Sequence, residues 1–140
     1  MFANCSLMGM NFAMPDVCLT PIPTPAGPIP TPIPYPNIAL LPTALPPTCS
    51  LTNLIMMMPV HNLMTTIPLS NGDQMGCMPG GVASAMIMGP SRNLLGSFKT
   101  LYGGMPATRS FIDITMQNMT NCPGLGRNMI PSQFKVLIMT

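Results

Sequence analysis

Few groups in this chain can carry chemistry. There are three aspartates (Asp16, Asp73, Asp113), one histidine (His61) and five cysteines (Cys5, Cys18, Cys49, Cys77, Cys122), with no glutamate. A hydrolase needs a nucleophile, a base and a group that orients the base. Asp16 and Asp113 have no carboxylate partner nearby in sequence. Asp73 stands in SNGDQMG, where Asn-Gly-Asp supplies the positive-φ positions of a tight turn. The cysteines are odd in number and well separated, which argues against a disulfide framework and against a CxxC zinc or redox motif. They read instead as small buried hydrophobes. A tetrahedral zinc would need His61 with three cysteines. Cys18, Cys49 and Cys122 are the only candidates, at a spacing that does not support the site. His61, in PVHN, reads as a turn residue bonding backbone groups. Catalysis is not expected, and neither is a cofactor.

The elements that must position these groups cannot be helices. Nineteen prolines and twelve glycines are spread so evenly that helices have no room, since a proline inside a helix costs about 3 kcal/mol. The longest stretch free of both, residues 107–122, is ATRSFIDITMQNMTNC. It sets Ile112, Ile114 and Met116 against Asp113, Thr115 and Gln117, the period of a strand. In TPIPTPAGPIPTPIPYPN, residues 20–37, proline falls at nearly every second position. Residues i and i+2 of an extended chain point their N–H groups to the same side. One edge therefore loses its donors, while Ile29, Thr31, Ile33 and Tyr35 keep theirs on the other. Such a segment pairs on one edge only and cannot template aggregation on the other. A polyproline ligand for an SH3-like groove is the competing reading, but no Arg or Lys flanks the segment.

Only 6% of residues are charged and 47% are hydrophobic, against about 25% charged in ordinary domains. Disorder needs the opposite balance, so the charge-free stretch between Asp16 and Asp73 is expected to pack against something. A net charge of +2 gives no nucleic-acid footprint. The longest apolar run, LIMMMPV at 54–60, contains Pro59 and falls short of the about 20 residues of a spanning helix. MFANCSLMGM has no basic residue ahead of its apolar part, so no secretory signal is expected and the protein is expected to fold in the cytosol.

The chain repeats itself. Residues 53–63 (NLIMMMPVHNL) align with 100–110 (TLYGGMPATRS) at an offset of 47. Leu54 matches Leu101, Met58 matches Met105, Pro59 matches Pro106 and His61 matches Thr108. Lys99-Thr100-Leu101-Tyr102 recurs as Lys135-Val136-Leu137-Ile138, and Arg92-Asn93-Leu94 as Arg127-Asn128-Met129, with a weaker start at Pro36-Asn37-Ile38. Repeats that cannot bury their faces alone pack on one another. The expected fold is therefore a single all-β domain over 1–140, a small cone or pyramid of short strands and turns with pseudo-threefold symmetry and almost no helix.

GGMPATR, Gly103 to Arg109, resembles the Pro-Ala-Ala-Arg signature of the PAAR repeat proteins, with Thr108 at the second Ala; Pro59 repeats the signature proline and Pro106, Ala107 and Arg109 carry it. With MFANCSLMGMNFAMPDVC, TPIPYPNIA, LSNGDQMG, GGVASAMIMGPSR and KVLIM, almost the whole chain is similar to the PAAR-like branch. The resemblance implies a β-rich cone that caps and sharpens the trimeric spike of a bacterial type VI secretion system, one copy per trimer. It also implies a fused or bound effector, assembly in the cytosol, and injection without a signal peptide, the membrane being pierced only as part of the spike. Members of the family proper hold a zinc with three histidines and a cysteine. This chain has only His61, so no zinc, or a site unlike the usual one, is expected.

Because threefold matching needs the same element from each unit, the expected spike contacts are Leu54, Ile55, Leu101, Tyr102, Val136, Leu137 and Ile138. Seventeen methionines would serve an adaptable surface. The rival function, a Met/Cys-rich binder of soft metals such as Cu(I), is disfavoured because the methionines are scattered. With the sequence stopping at Thr140, a stand-alone tip that recruits its cargo non-covalently is expected.

Overall fold

The computed structural model describes residues 1–122 and 126–140. The strands are β1 (Met10–Thr24), β2 (Gly27–Leu40), β3 (Ser50–Ile55), β4 (Met58–Val60), β5 (Thr66–Ile67), β6 (Ser91–Asn93), β7 (Ser97–Tyr102), β8 (Met105–Ala107), β9 (Ile114–Gln117) and β10 (Cys122–Ile130). Helical structure among the described residues is confined to two single 3-10 turns, Leu41–Thr43 and Pro46–Thr48, each with proline in its first turn. The domain is all-β, as expected. Six strands form one antiparallel sheet in the order β2-β1-β10-β9-β6-β5, and β3-β4 and β7-β8 are separate hairpins.

The proline run forms the outer strand of that sheet. In the β1–β2 hairpin Val17, Leu19, Pro21 and Pro23 stand opposite Pro34, Pro32, Pro30 and Pro28. Proline has no N–H, so these are the pairs whose amides point away from the partner. The alternate pairs, Cys18–Ile33, Thr20–Thr31 and Ile22–Ile29, carry the ladder. The donor-poor edge of β2 faces outward, as its sequence requires. Beyond the prolines, Ile38 and Asn71 exchange backbone hydrogen bonds of 2.7 Å. Gly72 permits this approach: its φ is +130° and a Cβ there would lie 1.9 Å from the Pro36 carbonyl oxygen. Two findings depart from expectation. These two strands are long, at 15 and 14 residues. And the ribbon from Thr20 to Pro36 is open to solvent rather than packed away.

The repeat closes into a ring. The hairpins β3–β4 and β7–β8 share one register, Ser50–Val60, Leu54–Pro59 and Ile55–Met58 in the first, Ser97–Ala107, Leu101–Pro106 and Tyr102–Met105 in the second, with a bulge at the same place. The third hairpin is assembled from both ends of the sequence: Phe2 pairs with Leu137, and the Ala3 amide donates to the Val136 carbonyl at 3.1 Å. Residues 2–6, 59–63 and 106–110 then pair cyclically, Cys5 with Val60, Asn62 with Ala107 and Arg109 with Ala3. The amides of Ser6, Leu63 and Ser110 donate to the carbonyls of Pro59, Pro106 and Phe2 at 3.0, 2.9 and 2.8 Å. In the opposite sense Asn4 donates to Thr108, Thr108 to His61 and His61 to Asn4, at 3.1, 3.5 and 2.9 Å. Three chemically different residues thus occupy one position of a threefold cycle, because the contacts are made by backbone.

Twenty-two polar or charged residues are buried among the described residues against fourteen apolar ones, while thirty large apolar side chains are exposed. From Ile112 through β9 the alternation holds but the faces are reversed: Asp113, Thr115 and Gln117 are buried, Ile112 is exposed, and Ile114 and Met116 are half-buried. Small polar side chains fit the narrow space between closely approaching backbones and satisfy one another there. Two small apolar clusters remain, one on the ring (Ala3, Cys5, Ile55, Val60, Ala107, Ile138) and one beneath the 3-10 turns (Ala39, Leu41, Ala44, Cys49, Ile67).

The hairpin turns differ in strain. A two-residue type I′ turn needs positive φ at both positions. Gly103 and Gly104 provide it at 61° and 79°, but the first hairpin places Met56 and Met57 at 53° and 64°. Replacing Met56-Met57 by Asn-Gly should raise stability by about 1–2 kcal/mol, read as a higher urea midpoint with unchanged m-value.

Candidate functional site

The three hairpins present one face. Leu54, Leu101 and Leu137 occupy the same register position and are 57%, 55% and 55% exposed. Three residues earlier in each copy stand Leu51, Phe98 and Phe134, also exposed, as are Met57 at the first hairpin's turn and Met139 near the C-terminus. The next residues point the other way: Ile55 and Ile138 are buried in the ring cluster, with Tyr102 half-buried against it.

Of the seven expected contact residues, the three leucines are exposed at equivalent register positions. Ile55 and Ile138 are corrected to core residues, because adjacent strand positions face opposite sides. Val136 and Tyr102 are half-buried against the same core. Leu51, Phe98 and Phe134 were missed. The signal was present as an apolar residue three before each repeated leucine, in LTNL, FKTL and FKVL. A small apolar groove of about 200 Å³, lined by Leu7, Met8, Met56 and Phe134 among others, opens on the first and third hairpins, and Phe134 packs edge-on to Phe2 with ring centroids 5.3 Å apart. Lys99 and Lys135 sit at equivalent exposed positions beside the leucines. The arrangement is a threefold set of apolar knobs on a scaffold whose interior is fixed by hydrogen bonds.

The signature residues hold the ring. Pro59 and Pro106 face Leu54 and Leu101 across the hairpins, and Ala107 is buried. Arg109 forms an ion pair with the fully buried Asp113, Nε at 3.1 Å and Nη2 at 2.7 Å both donating to Oδ1, and its backbone amide donates to Oδ2 at 2.6 Å.

His61, on the second ring segment, is fully enclosed, with Nε2 2.9 Å from the Ser6 hydroxyl. Among the described residues it joins no cluster with Cys18, Cys49 and Cys122, so the set that sequence allowed for zinc does not fit. Cys5, Cys18, Cys49 and Cys122 are buried free thiols, as read, and Cys77 is exposed. Burial pushes the His61 imidazolium down from 6.5 to about 4. The unfolded chain therefore binds a proton through that interval that the folded chain refuses. The contribution of His61 to stability is complete above pH 6.5 and falls away as pH drops to about 4, a loss of about 3 kcal/mol. Burial raises the Asp73 carboxyl, which acts in the opposite sense, so His61 must be isolated by comparison with His61→Gln. Urea midpoints between pH 7 and pH 4 should fall more steeply in the parent than in that variant.

Comparison with known proteins agrees with this geometry at the family level. A family profile described as a toxin PAAR-like domain matches residues 9–124. No curated protein and no solved structure gives a significant match.

Proposed function

The chain belongs to the toxin PAAR-like domain family, and from that premise we propose that it is a structural spike-tip protein. On this proposal its threefold apolar face seats on the blunt end of a trimeric type VI secretion spike, one copy per trimer. The observation that carries the proposal is the equivalence of Leu54, Leu101 and Leu137: one register position, one exposure, on three hairpins joined in a closed cycle. A single chain with that arrangement can meet three identical subunits with the same contact three times, and heterologous contacts of a trimer require no less. Large exposed apolar patches mark interaction sites, and this face combines one with rigid support.

The remaining exposed apolar surface, including the open proline ribbon, supports non-covalent carriage of an effector. We assign the chain no catalytic step, since its histidine and three aspartates are buried. Assembly in the cytosol and export with the injected spike follow from the same proposal. The test is co-expression with the trimeric spike protein of the same secretion system: a complex of one chain with three spike subunits by native mass is expected, and independent elution of the two would overturn the proposal.

A further inference from the structure

Two carboxylates and a thiol lie buried together, away from the apolar face. Asp16 and Cys18 are two apart on β1 and so share a face. Asp73 comes from the strandless segment that links β5 to β6. Their ligand-type atoms, one per residue, all lie within 4.8 Å of one another, and all three residues are fully buried. The packing is tight: a Cβ on Gly76 would fall 2.1 Å from the Cβ of Cys18.

The cluster has an electrostatic deficit. Asp16 accepts from the side-chain amides of Asn37 and Asn121, and Asp73 from the Asn118 side chain and the Met88 backbone amide, all of them uncharged donors. The ion pair recorded among the described residues is Arg109–Asp113, elsewhere in the fold. Burying a carboxylate without a cation is costly.

Three asparagines surround the group and play different parts. Asn118 Nδ2 donates to Asp73 Oδ2 at 2.9 Å, while its Oδ1 accepts from the Gly89 amide at 3.2 Å. Asn121 Nδ2 donates to Asp16 Oδ1, while its Oδ1 accepts from the Ala83 amide at 2.9 Å. Backbone donors thus fix both amides as clamps on the carboxylates. Asn37 differs. Its Nδ2 meets Asp16 Oδ2, it is fully buried, and its Oδ1 has no hydrogen-bond partner. Because amide nitrogen and oxygen exchange places on a flip, an oxygen at the Nδ2 position would sit against Asp16 as an unused ligand.

We propose that Asp16, Cys18 and Asp73, completed by the amide oxygen of Asn37, form a structural site for one zinc-class divalent cation. Thiolate, carboxylate and amide oxygen together suit a borderline cation of tetrahedral preference. Bond lengths of about 2.0–2.3 Å require ligand atoms about 3.5 Å apart, so the cluster has only to contract. The cation offsets the two carboxylates and displaces the Cys18 proton to solvent, leaving a thiolate bond. It would tie the strandless segment 68–90 to β1 and β2. This site shares no residue with the His61 set that sequence allowed except Cys18.

The test uses the full chain, unfolded in urea with chelator and refolded with or without zinc, then with cobalt(II). Bound zinc near one ion per chain, a higher thermal midpoint with zinc, and a sulfur-to-cobalt charge-transfer band are expected. The band should vanish in Cys18→Ser and persist in Cys77→Ser and His61→Gln. If Cys18→Ser does not fold, the midpoint shift and the band in the parent chain decide. Refolding to the same midpoint without bound zinc, or a band that survives Cys18→Ser, would overturn the site. None of these readouts involves the spike, so they stand or fall apart from the proposed function.

Discussion

Replacing Leu101 by aspartate is expected to weaken binding of the chain to a spike trimer by about 30-fold to 1,000-fold, with the fold intact. The leucine is more than half exposed in the free chain, so the charge costs little there. In the complex it would lie near the centre of one of three equivalent contacts, unpaired and desolvated, where single truncations cost about 2–4 kcal/mol. Leu54→Asp and Leu137→Asp should act to a similar degree, because the three sites are equivalent, and the triple variant should leave no measurable complex. Titration calorimetry reads the affinities and a urea transition checks the fold. A triple variant that binds like the parent would remove this face from the spike contact. Ile55→Asp offers the contrast: it also abolishes binding, but by unfolding, because Ile55 lies in the ring cluster. The Asn-Gly turn variant separates strain from contact. Met57 is 88% exposed at the turn three residues beyond Leu54, and strain is retained where function needs it. A chain that gains stability yet loses affinity would place Met57 at the interface.

The second large effect is expected at Asp113. Its carboxylate accepts from the Arg109 amide and twice from the guanidinium, and the side chain is wholly buried. Asp113→Ala leaves a partly buried guanidinium unpaired and frees the turn that follows the third ring segment. Removing one partner of such a pair costs about 3–5 kcal/mol, a large share of the about 5–15 kcal/mol available to a domain. Chemical denaturation should show a strongly lowered midpoint or no cooperative transition. In the parent chain Arg109→Lys should also lower the midpoint, though by less, since an ammonium keeps the charge but cannot reproduce the two-pronged contact. Parent-like stability in Asp113→Ala would show that the pair contributes nothing net.

Much of the architecture was written in one dimension. Proline and glycine spacing excluded helices. Proline parity set which edge of β2 can pair, because a missing N–H is a local property of the chain. The repeat located two hairpins residue for residue, and the PAAR-like pattern identified the family. Three things were decided only by folding. The third ring unit joins residues 1–3 to 136–138, a closure invisible to an alignment that runs forward along the chain. The facing of the segment 112–117 was inverted relative to the usual rule, so Asp113, Thr115 and Gln117 went inside while Ile112 stayed out. Alternation fixes the period of a strand but not which side is covered. Finally, Asp16, Cys18, Asp73 and Asn37 have no motif spacing. They meet because β1, β2 and a strandless segment converge, and proximity in space between distant residues is a property of the tertiary structure alone.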